Sequence, residues 1–172
     1  MSTSESPAHP RFAEALRAVG PGVDVRRFPD ATRTAAQAAA AIGCDVAEIV
    51  KSPVFVARGL PGADGPEDGA PVLVLMDGSS RADMELVRRE LGAAEARRAD
   101  ADLVRERTGY AIGGVPPFGH RTRTRVPADR GLLGHAVVRA AAGTPHTVFP
   151  LDPRSVVAHA GAVVVDVRER TA

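Results

Sequence analysis

Strand-length apolar runs and short amphipathic helices follow one another along this chain without the regular strand-helix alternation that winds a parallel sheet. That order constrains the fold more than any other feature. It points to an α+β domain whose sheet is curved, mostly antiparallel and barrel-like, with short helices around it.

The punctuation fixes the elements. Arg11–Val19 places Phe12, Ala15, Leu16 and Val19 on one helical face and stops at a Gly-Pro-Gly turn. A strand is expected over Val23–Phe28. Thr32 or Thr34 then caps an alanine-rich helix through Ile42, with Gly43 as its stop and a short turn at Asp45–Ile49. Val50–Arg58 and Pro71–Met76 read as paired strands at the sheet centre, joined by the acidic hairpin loop Leu60–Pro71. Asp83–Leu91 is an amphipathic helix with Met84, Leu86, Val87 and Leu91 inward, and Ala99–Arg107 is a second short one. Further strands are expected at Arg121–Val126, Gly134–Ala142, His146–Phe149 and Val163–Val167, with a helix capped by Asp152 and ending near His159.

At 172 residues, 44% of them hydrophobic, the chain has the size of one domain, expected over residues 1–172 with residues 1–9 as a disordered tail. Its 22 basic and 21 acidic residues nearly cancel, so any nucleic-acid contact must be local rather than a bulk electrostatic coat. With no helix-turn-helix or basic recognition helix, DNA is not expected as a partner. Cys44 stands alone, which excludes an internal disulfide and fits a reducing cytoplasm; it reads as a small buried hydrophobe. The first ten residues lack the pattern of a signal peptide, and the longest apolar run, Ala136–Ala142, is interrupted by Arg139, so no membrane role is expected.

Of the 22 basic residues 21 are arginine, and Lys51 is the single lysine. An ammonium is a compact point charge that approaches one oxygen closely, whereas guanidinium is a broad fork whose pKa is too high for proton transfer. A lysine that survives such a bias either marks a place where arginine fails or is a chance survivor on a solvated surface. The loop Thr108–His120, TGYAIGGVPPFGH, combines four glycines and two prolines with large apolar side chains and is expected to be ordered. No P-loop, no G-x-G-x-x-G after a strand, no G-x-S-x-G and no HExxH occurs, and the five histidines lack ligand spacing. No metal and no cofactor is therefore expected.

The segments VKSPVF at Val50–Phe55 and GGVPPFGH at Gly113–His120, about 60 residues apart, resemble the two signatures of the YbaK-type tRNA-editing family. That family comprises bacterial Cys-tRNA(Pro) deacylases, relatives that edit alanine, and the editing insertion domain of bacterial prolyl-tRNA synthetase. GTPHTVF at Gly143–Phe149 is similar to the glycine and histidine segment of the free-standing members, and the resemblance runs from Arg11 to Val167. It implies the fold of the prolyl-tRNA synthetase editing domain and an aminoacyl-tRNA deacylase that frees a mischarged small amino acid, cysteine, alanine or similar. The resemblance further implies that water cleaves the ester, without a metal or a covalent enzyme intermediate. The implied partners are the acceptor end of the aminoacyl-tRNA and prolyl-tRNA synthetase.

Carried over residue by residue, the resemblance makes Lys51 the key pocket residue and brings the backbone of Gly113 and Gly114, in the loop Gly113–Pro117, against the ester. Rigid amides suit the negative charge that develops on the ester carbonyl, and glycine permits close approach. Lys51 either neutralises the terminal phosphate, orients the carbonyl, or acts as a general base with a strongly lowered pKa; the electrostatic role is preferred. Ser52, Val115, Pro116, Pro117, Phe118, His120 and His146 are the substrate-binding candidates. His120 equally caps its own loop, His146 is equally satisfied by its turn, and Ser52 equally completes a strand end. Arg121, Arg123 and Arg125 share one face of the expected strand, where they either hold acceptor-stem phosphates or keep an edge strand solvated. Pro53 stands where relatives carry a larger aliphatic residue and Pro116 where many have serine, which alters pocket shape rather than reaction class. A non-catalytic tRNA- or synthetase-binding module of the same fold and a hydrolase of a small-molecule ester remain open readings.

Overall fold

The computed structural model describes residues 7–20, 22–29, 34–61 and 69–170. Helix α1, Pro10–Arg17, begins with proline at its first turn and with the His9 ring accepting the Arg11 N–H, and it buries Phe12 and Leu16. Strand β1, Arg26–Arg27, is shorter than the expected strand over Val23–Phe28. Helix α2, Ala35–Ile42, is capped by Thr34, whose hydroxyl accepts the Gln37 N–H, and it stops at Gly43 with φ of +83°. The other candidate cap, Thr32, lies outside the described residues. A 3₁₀ turn, Val46–Glu48, leads to β2, Val50–Lys51, and β3, Val54–Arg58. Next come β4, Ala70–Leu73, β5, Met76–Asp77, and α3, Met84–Leu91, with Asp83 as its cap. Strand β6, Glu95–Arg98, precedes α4, Ala101–Thr108, capped by Asp100. The chain continues through β7, Pro127–Asp129, β8, Val138–Ala141, and β9, Thr147–Leu151. It closes with α5, Pro153–Ala160, capped by Asp152, and β10, Val163–Val165.

The strands form four small sheets, β1-β9-β8, β10-β7, β2-β5 and β4-β3-β6, and five of the six pairings are antiparallel. Isolated bridges such as Ile49 with Arg139 and Leu75 with Ala128 join them into a curved surface. Among the described residues it does not close into a barrel. The fold is therefore α+β, as the order of elements implies, with the sheet left open. Val54, Val56, Leu73 and Leu75 face a core built with α1, β8 and β9, while Phe55, Ala57, Val72 and Val74 face α3. Burial on both faces explains why these strands read as unbroken apolar runs rather than alternating ones.

Four further expectations change. The strand expected over Val50–Arg58 breaks at Ser52–Pro53, although β2-β5 and β3-β4 keep one register that sets Pro53 opposite Val74. Pro53 accepts the Val74 N–H at 3.1 Å but has no N–H to return, so the ladder lapses there. Pro71–Met76 divides at the same place. Arg121–Val126 is not a strand: only Arg125 bridges, to Val72, and the strand lies one step on, at β7, paired in parallel with β10. The disordered tail expected over residues 1–9 does not reach Ala8 and His9, because Ala8 is buried and the His9 N–H donates to the Ala142 carbonyl. Residues 1–6 and most of the acidic hairpin loop, 62–68, lie outside the described residues. Strand β6 escapes sequence reading because Glu95, Arg97 and Arg98 are all exposed and leave no apolar alternation.

Candidate active site

The break at Ser52–Pro53 is also where the sheet divides. Past it, β3 pairs with β6, with Phe55 opposite Arg98, whereas before it Ile49 bridges to Arg139 on β8. Between the diverging β6 and β8 opens a cleft of about 780 Å³, with Lys51, Ser52 and Pro53 on its floor. Arg97 and Arg98 belong to one wall, Arg139 and Val148 to another, and Ile112, Gly113 and Val115 of the glycine-proline loop to a third. Ile112 is 56% exposed at this cleft, an unusual place for a large aliphatic side chain.

The loop is held from both ends. The Tyr110 hydroxyl donates to the Gly119 carbonyl at 2.6 Å, and burial pushes its pKa up to about 12. The Thr108 hydroxyl donates to Val104 and accepts the Tyr110 N–H. Gly113 has φ of +89°, a conformation that favours glycine. Gly114 packs so closely on the loop Gly143–His146 that a Cβ would lie 2.8 Å from the Thr144 backbone. Its N–H is committed to the Ala111 carbonyl at 3.0 Å, whereas the Gly113 and Val115 amides have no backbone partner among the described residues.

The cleft is cationic. Among the described residues, Lys51, Arg81, Arg97, Arg98 and Arg139 line it against one carboxylate, Glu169. Arg139 is paired with Glu48 at 2.8 Å. Lys51 is partly buried and donates from Nζ to the Ser80 carbonyl at 2.9 Å, which leaves two further N–H donors. Burial, then the Arg81 charge, lowers its pKa, while Asp77 opposes them. Among the described residues no three histidine, cysteine, aspartate or glutamate side chains gather in a way that could hold a metal.

The charge of this cleft suits an anionic ligand. The family model of aminoacyl-tRNA editing domains matches residues 29–158. The chain belongs to this aminoacyl-tRNA editing family, the YbaK-like one. Similar to this editing domain is the uncharacterized protein YwhH of Bacillus subtilis (strain 168), 32% identical over 131 residues, which are 76% of this chain and 77% of that one. A solved structure, that of a candidate trans-editing enzyme for prolyl-tRNA synthetase, is 42% identical with a TM-score of 0.82, covering 97% of this chain and 100% of the other. Hypothetical protein APE2540 is 31% identical with a TM-score of 0.80, covering 92% and 99%.

Within the editing domain, four of the catalytic and substrate-binding candidates line the cleft: Lys51, Ser52, Gly113 and Val115. The others do not. Gly114 is the joint between two loops rather than a cleft residue. Pro116 and Pro117 are buried, and the Pro116 carbonyl accepts a hydrogen bond from His120 Nε2 at 2.7 Å. His120 thus braces its own loop, and its ring meets Tyr110 edge to face. Phe118 belongs to the core, with ring centroids 5.2 Å from Phe12 and 6.1 Å from Phe149. His146 lies in the neighbouring turn, where its N–H donates to the Thr144 hydroxyl and its carbonyl accepts the Phe28 N–H. Arg121, Arg123 and Arg125 are exposed but outside the cleft, because the segment carrying them is not the strand expected. The cations that do line it, Arg81, Arg97, Arg98 and Arg139, carry no sequence signal that separates them from the other arginines.

Proposed function

We propose that this editing domain, as a single domain spanning the chain, acts in trans as an aminoacyl-tRNA deacylase. It hydrolyses the ester between a mischarged small amino acid, cysteine, alanine or similar, and the terminal ribose of tRNA. Water is the nucleophile, and neither metal nor cofactor takes part. The observation that carries this reading is one cleft lined together by Lys51, by the glycine loop whose Gly113 and Val115 amides have no backbone partner among the described residues, and by arginines. Attack on the ester places negative charge on the carbonyl oxygen, and fixed amides with an ammonium stabilise that charge where bulk water has been displaced. Lys51 serves electrostatically, using the N–H groups left after its bond to Ser80, and the arginines take the phosphates of the acceptor end.

The setting is the cytoplasm, beside translation. The likeness to the candidate trans-editing enzyme for prolyl-tRNA synthetase supports a tRNA that this synthetase charges as the substrate. The test is release of radiolabelled cysteine, alanine, serine and proline from tRNA by the wild type and Lys51→Ala in parallel. Release of one small amino acid that depends on Lys51 supports the reading and names the cargo. No release above background, with tRNA still bound, favours a binding module, and equal cleavage of a free aminoacyl ester favours a small-molecule hydrolase.

A further inference from the structure

One step behind Lys51 stands a carboxylate to which the reaction above gives no part. Asp77 is 3% exposed. Its Oδ1 accepts the Ser79 N–H at 2.9 Å, and the Ser80 hydroxyl lies 3.1 and 3.0 Å from its two oxygens. The Ser80 N–H also donates to the Asp77 carbonyl at 3.2 Å, so the four residues close into a turn. The last residue of that turn presents the carbonyl that receives Lys51 Nζ. The strand ladder sets the same pair from the other side, because Val50 faces Asp77 and Lys51 faces Met76 across β2 and β5.

A carboxylate so far from water persists only where hydrogen bonds and charge offset its desolvation. Burial alone would raise the Asp77 pKa, yet the bonds from Ser79 and Ser80, aided by Arg168, hold it below the ordinary carboxylate range. Asp77 is therefore an anion whose bonds are spent on shaping one turn. We propose that Asp77 is the positioning residue of this site: it holds the Ser79–Ser80 turn so that the Ser80 carbonyl fixes the Lys51 amine within the cleft. The charged groups that face Lys51 are Arg81 after β5, Arg98 on β6 and Asp77 itself, and of these three only Asp77 favours the ammonium. Its consequence for turnover rests on the deacylase reading, whereas the contact does not.

Because Lys51 is the single lysine, protein labelled with lysine carrying carbon-13 at Cε gives one lysine side-chain signal. That signal is titrated with pH in wild type, Asp77→Asn and Ser80→Ala, and single-turnover deacylation is followed in the same samples. In Asp77→Asn, burial and the two guanidinium groups act unopposed, so the signal should titrate at lower pH than in the wild type. The rate of the chemical step should fall roughly ten- to a hundredfold with little change in tRNA affinity, the cost of a displaced charge-stabilising group. A folded Asp77→Asn whose lysine titrates as in wild type overturns the proposal. Should Asp77→Asn not fold, Ser80→Ala decides: a slower chemical step supports the proposal and an unchanged one refutes it. If the wild type itself cleaves no ester, the deacylase reading fails while the titration still judges the contact.

Discussion

The backbones of Gly114 and Thr144 meet so closely that a methyl group on Gly114 would stand 2.8 Å from the Thr144 Cα. Neither side of this contact is a flexible side-chain tip, so Gly114→Ala must push two loops apart. We expect it to cost about 1–3 kcal/mol of stability, as overpacking does. It should also slow deacylation, because Gly113 and Val115 move with it. Gly134, where an added Cβ meets nothing within 4 Å, supplies the comparison, and Gly134→Ala should melt with the wild type. Thermal unfolding of the two variants decides the point.

Lys51→Arg keeps the charge and changes its shape. A planar fork cannot keep the single short contact to the Ser80 carbonyl and also present a compact cation to the cleft. The arginine variant should therefore lose activity nearly as far as Lys51→Ala, by about 10²–10³-fold if the amine stabilises the developing charge. Single-turnover rates at equal tRNA occupancy measure this, and an arginine variant with wild-type rate would refute the argument.

If the cleft arginines hold phosphates, removing Arg97 or Arg98 should weaken tRNA binding and reduce its salt dependence by about one unit of slope for each phosphate no longer held. Arg123→Ala, outside the cleft, should change both much less. Binding titrations at several salt concentrations compare the three variants. Equal losses would move the phosphate path back to the segment 121–125.

His120 supplies a pH signature. Burial lowers its pKa, and the hydrogen bond to the Pro116 carbonyl offsets only part of that. The unfolded chain, with histidine near its usual value of about 6.5, then binds more protons than the folded one as pH drops below that value. The stability from a neutral His120 is accordingly full above the unfolded pKa and is lost as pH falls toward the folded pKa. Melting temperature should decline over that interval, and His120→Gln, which can still donate to Pro116, should flatten the decline.

Much of the fold was legible because caps and stops act locally. Thr34 and Asp152 each accept a backbone N–H at the start of a helix, and Gly43 ends one. Lys51 stood out by scarcity and Gly113 by its glycine-proline neighbours, and both line the cleft. What stayed hidden depends on distant partners. Arg97 and Arg98 face the cleft because β6 pairs with β3, some forty residues earlier in the chain. Phe118 sits in a motif that points to a pocket, yet its ring joins Phe12 and Phe149 from opposite ends of the sequence. Pro53 stood inside an expected strand, and the lapse it causes is visible only once Val74 is known to lie opposite.

The missing Pro53 amide also separates two hereditary tasks. Since β6 hangs from β3 and β8 attaches ahead of β2, an exchange of side chains on one wall leaves the ladder of the other untouched. Exposed side chains on either wall can thus be exchanged while the strand register that seats the lysine between them is kept.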